Sequence, residues 1–168
     1  MYKKIKTYEI GLAIFLFFTP LLLRIVDGTF RKSISDYAYS EMNHVFYSLI
    51  AVSSTLFIFN YLMNNKHWYN LITGISLLGV GLTPHNEYET AHYIFAGVFF
   101  VMSLLSIPLS SSKKNVEYKY LVVILTLVVM ALHFTTGAYS LLVAEWIAML
   151  PICTHFIIKS IKWEGFTI

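Results

Sequence analysis

The chain has 168 residues, of which 57% are hydrophobic, 17% aromatic and 12% charged. Soluble domains carry about a quarter charged residues, so this composition excludes an ordinary soluble core and indicates one integral membrane domain over residues 1–168. A net charge of +3 is too small and too dispersed to indicate a nucleic-acid partner. The single cysteine, Cys153, excludes an intrachain disulfide.

Six apolar stretches approach the roughly 20 residues that a transmembrane helix requires. They cover residues 8–26, 44–63, 68–83, 90–109, 118–135 and 139–158. The third contains Gly74, Gly79 and Gly81, and we expect it to pack closely because small residues let helix backbones approach. Pro20 and Pro151 are expected to kink the first and sixth helices. The predicted fold is all-α, a polytopic membrane protein built as a six-transmembrane-helix bundle.

The distribution of basic residues predicts the orientation of the bundle, because cytoplasmic loops of membrane proteins collect Lys and Arg. With the N-terminus inside, the cytoplasmic side receives Lys3, Lys4, Lys6, Lys66, Lys113, Lys114, Lys119, Lys159 and Lys162. The opposite side receives only Arg24, Arg31 and Lys32. No small-x-small cleavage site follows the first apolar run, which we interpret as an uncleaved span. An even number of spans then places both the N- and C-termini in the cytoplasm.

Polar residues concentrate at the predicted non-cytoplasmic face. The segment TPHNEYETAH, residues 83–92, lies there between the third and fourth spans. Other polar residues on that face are Ser33, Ser35, Asp36, Glu41, Asn43 and His44 of the first loop, and His133, Thr135 and Thr136 at the end of the fifth span. Because these segments are distant in the sequence, their common depth predicts a shared polar cluster.

Glu145 is the strongest single signal in the sequence. It lies about a turn and a half into the sixth span, where an ionised acidic group costs roughly 2.5 to 3.5 kcal/mol on insertion scales. We therefore expect it to have a partner or to hold a proton, and the partners at a suitable depth are His92, His133 and Arg24. The alternative is a solvated, structural glutamate at headgroup depth.

The histidines allow a metal site. His85, Glu89 and His92 have i, i+4 and i+7 spacing, so they share one face if the fourth helix begins near Pro84. The candidate Zn²⁺ ligands are His85, His92, His133 and Glu145, with Asp36 as an alternative. The spacing is not that of an HExxH motif, and the alternative is a pair of interfacial histidines that hydrogen-bond the loops.

The segment SISD, residues 33–36, has two interpretations. Ser35 beside Asp36 allows a nucleophile next to a carboxylate, although such sites are recognised by geometry. The alternative is a turn or helix cap, since Ser and Asp accept hydrogen bonds from free backbone N–H groups. If the protein is an enzyme, which the sequence leaves open, the candidate catalytic residues are Asp36, His92 and Glu145, with histidine as the general base.

Three segments, SISDYAYSEMNHVFYSL, NEYETAHYIFAGVFF and LLVAEWIAMLP, resemble signature regions of the six-span superfamily that contains the damage-regulated autophagy modulators and the post-GPI-attachment lipid-remodelling factors. The resemblance is carried by Ser35 with Asp36, His92 with Ala96, and Glu145 with Trp146. It implies a six-helix bundle whose marked residues lie at the non-cytoplasmic face. Short loops and the lack of paired cysteines differ from eukaryotic members, so we expect a bacterial inner (plasma) membrane protein.

Two functions follow from these patterns. In the first, the His/Asp/Glu cluster engages or modifies the headgroup of a membrane lipid, with or without a metal ion. In the second, the protein is a non-catalytic scaffold or an oligomeric channel-forming subunit, and the cluster only ties helix ends together. We favour lipid engagement, because a purely structural bundle would satisfy its helix ends with Ser, Thr and Asn at a lower desolvation cost.

Overall fold

The computed structural model describes residues 2–63, 67–109 and 116–160, with side chains described from residue 8 to residue 158 within these ranges. The helices are α1 (Tyr2–Asp27), α2 (Asn43–Met63), α3 (Trp68–Leu82), α4 (Glu89–Leu109), α5 (Val116–Thr136) and α6 (Leu141–Ser160). A 3₁₀ helix, Ser35–Tyr39, lies between α1 and α2. The described residues contain no strand, so the predicted all-α class is confirmed.

Five of these helices, α1, α2, α4, α5 and α6, are long and apolar enough to cross a membrane. The remaining helix, α3, has 15 residues. At 1.5 Å per residue it measures roughly 22 Å, which is shorter than a bilayer core of roughly 30 Å. The chain is therefore a multi-pass helical membrane protein. The six-span topology and the cytoplasmic position of both termini stay predictions.

The observed helix ends differ from the predicted ones by six residues or fewer. The helix α1 begins at Tyr2, because the basic N-terminal segment continues the apolar helix. The helix α6 begins at Leu141 instead of Tyr139, and the Ser140 hydroxyl accepts a hydrogen bond from the Val143 N–H near its first turn. The helix α4 begins at Glu89, one residue before the predicted span.

The helices form a ring with one helix outside it. In the ring, α1 packs against α2, α2 against α3, α3 against α4, α4 against α6, and α6 against α1. The helix α5 lies outside, against α4 and α6. Its membrane-crossing segment is 17% buried, compared with 33% to 39% for the other four. Most of the surface of α5 is therefore available to lipid.

Close packing of α3 depends on its glycines, as predicted. A Cβ atom on Gly79 would lie 2.5 Å from the Phe95 ring of α4, and one on Gly74 would lie 2.9 Å from the Ser54 carbonyl oxygen of α2. Gly81 also faces α2 at less than normal contact distance. Any side chain at these positions would push the helices apart, so the short α3 is held deep between its neighbours.

Three phenylalanines meet inside the ring, and we call them the aromatic layer. The Phe57 ring of α2 lies 6.3 Å from that of Phe99 of α4 and 6.0 Å from that of Phe156 of α6, both in edge-to-face geometry. Buried polar residues lie toward both ends of the ring from this layer. We call the end with the 3₁₀ helix and the α3–α4 and α5–α6 connections the site end, and the opposite end the far end.

Candidate functional site

The first loop leaves α1 through a glycine. Gly28 has a φ of 76°, in the left-handed region, and its N–H donates to the Arg24 carbonyl oxygen at 3.0 Å. Asp27 then pairs with Arg31 at 2.8 and 2.9 Å, and this carboxylate raises the pKa of the Arg31 guanidinium above its ordinary value. The Arg24 guanidinium lies 4.4 Å from the centre of the Phe30 ring. The two arginines therefore make their contacts within the loop and its helix end.

The segment SISD forms a reciprocal turn cap. The Ser33 N–H donates to Asp36 Oδ2 (3.2 Å), and the Asp36 N–H donates to the Ser33 hydroxyl oxygen (3.1 Å). The Ser35 hydroxyl lies 3.0 Å from that of Ser33. The Tyr37 hydroxyl donates to the Thr29 carbonyl oxygen at 3.1 Å, and burial raises the pKa of Tyr37. The cap interpretation of this segment is confirmed.

Glu145 binds this loop from α6. Its Oε2 atom accepts a hydrogen bond from the Ile34 N–H at 2.7 Å, and the Leu142 N–H donates to the Lys32 carbonyl oxygen, also at 2.7 Å. The expectation of a polar partner is correct, but the partner of this contact is a backbone amide rather than a histidine or Arg24. The reason is geometric, since the loop lies directly over the first turns of α6.

The α3–α4 connection contacts the same loop. His85 Nε2 lies 3.4 Å from Asp36 Oδ1, and the His85 ring stacks edge-on against Tyr39 at 5.0 Å between ring centres. The Asn86 N–H donates to the Tyr39 hydroxyl oxygen at 2.8 Å. The polar segment TPHNEYETAH is thereby joined to the 3₁₀ helix, as its common depth predicts.

The helix α4 begins at Glu89, close to the predicted span of residues 90–109 but later than the start near Pro84 that a common face of His85, Glu89 and His92 requires. The Glu87 and Tyr88 N–H groups both donate to the Pro84 carbonyl oxygen, which forms a turn, and α4 begins only at Glu89. His85 therefore lies in the connection and not on the helix. The predicted common helical face of His85, Glu89 and His92 is wrong for this reason, and Glu89 is exposed.

His92 is buried in the first turn of α4, with 4% of its surface exposed. Its Nδ1 atom donates to the Thr83 carbonyl oxygen at 2.7 Å, because a carbonyl can only accept. The His85 ring lies 5.6 Å away between ring centres. The carbonyl at the end of α3 thus fixes the orientation of the imidazole, which in its neutral form has Nε2 as an acceptor.

A cavity of about 60 Å³ lies inside the ring at the site end. Its lining includes Ser35 of the 3₁₀ helix and Phe99 of the aromatic layer, so it occupies the space between them. Most of the lining is apolar, and its polar members are Thr19, Ser35, Ser53, His92 and Glu145. The fold therefore brings two of the predicted site residues, His92 and Glu145, to one cavity.

His133 makes its contacts away from this lining. Its Nδ1 atom lies 2.7 Å from the Tyr139 carbonyl oxygen, and its ring packs against Phe134 and Tyr139. Gly137, with a φ of 62°, ends α5 by donating to the His133 carbonyl oxygen at 2.9 Å. His133 thus ties together the α5–α6 connection and is not one of the residues that line the cavity.

Within the described residues, the predicted zinc ligands are not assembled into a metal site. Within residues 2–63, 67–109 and 116–160, no group of three or more His, Cys, Asp or Glu side chains is arranged to hold a metal ion. The set His85, His92, His133 and Glu145 stays a prediction from sequence.

The candidate catalytic residues divide between two neighbouring places. His92 and Glu145 line the cavity, whereas Asp36 contacts Ser33 and His85 in the loops that cover the site end. The contact of the Ser35 hydroxyl is with another serine. These contacts do not show a nucleophile paired with a base, and the catalytic assignment stays a prediction.

Sequence reasoning missed three groups that shape the site. They are the Ile34 N–H that binds Glu145, the Thr83 carbonyl that orients His92, and the Tyr39 hydroxyl that binds the Asn86 N–H. The first two are backbone groups, which every residue has, so no residue type marks them. The tyrosine could have been found only as one of several interfacial aromatics.

Comparison with known proteins identifies a family. The profile of a family of unknown function (DUF7103) matches residues 18–160, and the chain belongs to that family. The matched range includes the first loop, the α3–α4 connection and Glu145, and therefore the whole candidate site. No curated protein and no solved structure matches the chain.

Proposed function

We propose that this membrane protein binds a lipid of the non-cytoplasmic leaflet, and that an amine or hydroxyl group of the lipid headgroup enters the cavity at the site end. The observation that carries the proposal is the cavity lined by both His92 and Glu145. Glu145 is partly exposed, so its surface is not fully used by the protein. Residues that only hold helix ends together would not need to line a cavity.

The size of the cavity limits what enters it. A buried water needs about 10 to 15 Å³ of this kind of volume, so a cavity of about 60 Å³ accommodates a fragment of about four heavy atoms. A whole lipid does not fit. An ethanolamine or a glycerol end group has a suitable size, while the acyl chains would remain in the bilayer.

The polar lining favours an amine. Glu145 supplies carboxylate oxygens, and His92 supplies an acceptor nitrogen in its neutral form. An ammonium group would form a charge-assisted hydrogen bond with the Glu145 carboxylate, whereas a neutral hydroxyl of a glycerol headgroup would form a weaker one. The proposal therefore predicts a preference for phosphatidylethanolamine over phosphatidylglycerol.

Lipid exchange into nanodiscs, followed by native mass spectrometry, tests this preference. Glu145→Gln keeps the shape of the side chain and an acceptor for the Ile34 N–H, but it removes the charge. We expect its retention of phosphatidylethanolamine to fall about tenfold, which corresponds to about 1.4 kcal/mol. Glu41→Gln is the matched control, because Glu41 is exposed at the same end of the bundle.

The competing function is a non-catalytic scaffold, and one observation favours it. Glu145, His92 and His133 each contact a backbone group at a helix end or loop. Under this alternative, Glu145→Gln and Glu41→Gln would retain both lipids equally, and only thermal stability would differ between them. That outcome would remove the lipid proposal and leave the scaffold.

A further inference from the structure

A second group of buried polar residues lies at the far end of the ring. Glu9 of α1, Asn60 of α2, Asn70 of α3 and Ser103 of α4 each have 2% or less of their surface exposed. The site-end cavity does not include them. We call these four residues the far polar layer, and their interpretation does not depend on the proposed lipid binding.

Helix register places Asn60 and Asn70 at the same depth. Gly74 lies against Ser54 and Phe57, and Gly81 lies against Ile50, so α2 and α3 are antiparallel. Asn70 lies one helical turn from Gly74 toward the α2–α3 connection. On α2, one turn from Phe57 in the same direction reaches the turn that contains Asn60. Asn60 Nδ2 donates to Glu9 Oε1 at 3.4 Å, which adds α1 to this level.

Helix register also places Ser103 beside this level. Gly79 of α3 lies against Phe95 of α4, and Thr83 at the end of α3 contacts His92 at the start of α4, so these helices are also antiparallel. The length of α3 from Gly79 to Asn70 equals the length of α4 from Phe95 to residue 104, which is adjacent to Ser103. Ser103 also follows Phe99 by one turn on the interior face of α4. Four helices of the ring therefore contribute a polar side chain at one depth.

Four hydrogen-bonding atoms of Asn60, Asn70 and Ser103 in the far polar layer have no protein partner within the described part of the chain. Among the described residues, Asn60 Oδ1, both amide atoms of Asn70 and Ser103 Oγ are buried and have no hydrogen-bond partner. Buried polar groups in proteins are nearly always paired with protein or with ordered water. Because these atoms lie at one depth, a shared small ligand accounts for all of them together.

The unpartnered atoms are of mixed type, and this selects the ligand. Asn60 Oδ1 and Asn70 Oδ1 accept, Asn70 Nδ2 donates, and the Ser103 hydroxyl does either. A cation would satisfy the oxygens and leave the Asn70 amide hydrogens unpaired, and an anion would do the reverse. Water both donates and accepts, and a buried water makes about three hydrogen bonds. We propose that the far polar layer is an internal hydration site that binds water or a hydrogen-bonding molecule of similar size.

The aromatic layer bounds the hydration site on the side that faces the site end. Phe99 lies one turn from Ser103, and Phe57 lies one turn from Asn60, in both cases toward the site end. Their rings pack against each other and offer no strong hydrogen-bonding group to water. The far polar layer and the site-end cavity are therefore two separate polar compartments, and water reaches the far polar layer from the far end.

Reactivity of an introduced thiol with Ag⁺ tests the proposal, because this ion is close to water in size and needs an aqueous path. Ser103→Cys would be made with Cys153→Ala, which removes the native thiol. Leu104→Cys is the matched control, since Leu104 is the next residue, is also buried and belongs to the apolar core. Thiols left unblocked by Ag⁺ in chloride-free buffer would be counted with a maleimide after denaturation.

We expect Ser103→Cys to be blocked at least about tenfold faster than Leu104→Cys. Adding Asn70→Leu should slow this blocking, because the larger apolar side chain displaces the bound water. Asn60→Cys provides an independent reporter on α2, and it should react as Ser103→Cys does. Equal, slow blocking of the variants at positions 60, 103 and 104 in protein that remains folded would overturn the proposal, as would fast blocking at all three positions.

Discussion

At the scale of the single residue, Glu145 has a structural contact that can be separated from ligand binding. Its carboxylate accepts the N–H of Ile34 across the α1–α2 loop. Glu145→Ala leaves that partly buried N–H without a partner, and we expect a loss of roughly 1 to 3 kcal/mol of unfolding free energy. Glu145→Gln should lose clearly less because its amide oxygen still accepts. Equal losses in detergent unfolding experiments would contradict a role for this hydrogen bond.

Individual site residues could be predicted from the sequence where the side chain itself carries the chemistry. Glu145 stands out in the sequence because a carboxylate within an apolar span has a high desolvation cost. The reciprocal cap of Ser33 and Asp36 follows from local spacing. The partner of Glu145 could not be predicted, because Ile34 contributes a backbone group from a segment that is distant in sequence.

At the scale of the element, close approach of α3 and α4 depends on a missing side chain. A Cβ atom on Gly79 would overlap the Phe95 ring at 2.5 Å, whereas one on Gly97 of α4 would meet nothing within 4 Å. We expect Gly79→Ala to cost roughly 1 to 3 kcal/mol through overpacking. Gly97→Ala is the matched control and should be neutral or stabilising by up to about 1 kcal/mol, because alanine favours the helix. Equal melting temperatures for the two variants would contradict this packing.

The helices themselves could be predicted closely, since hydrophobic stretches of this length have few other structures available in a membrane. The turn that precedes α4 could not. The sequence places Pro84 at a suitable first helical position, but the Pro84 carbonyl accepts two N–H groups and forms a turn first. This difference moves His85 off the helix and toward Asp36, so it changes which polar residues meet.

At the scale of the whole molecule, the ring has two polar compartments separated by the aromatic layer. The charge distribution predicts which end faces the cytoplasm, and hydropathy predicts the number of apolar helices. Neither pattern predicts the position of α5 outside the ring or the cavity between Ser35 and Phe99, because both depend on how side chains of several helices fit together. Binding of a lipid from the non-cytoplasmic leaflet requires the site end to lie at the non-cytoplasmic surface.

Labelling of a cysteine at position 87 in intact cells tests that orientation most directly. Glu87 is exposed in the α3–α4 connection, and Glu87→Cys would be made with Cys153→Ala. Lys113→Cys, in the connection between α4 and α5, is the control for the opposite side. We predict that a membrane-impermeant maleimide labels position 87 in intact cells and position 113 only after permeabilisation. Labelling with the reverse pattern would place the site end in the cytoplasm and contradict the account.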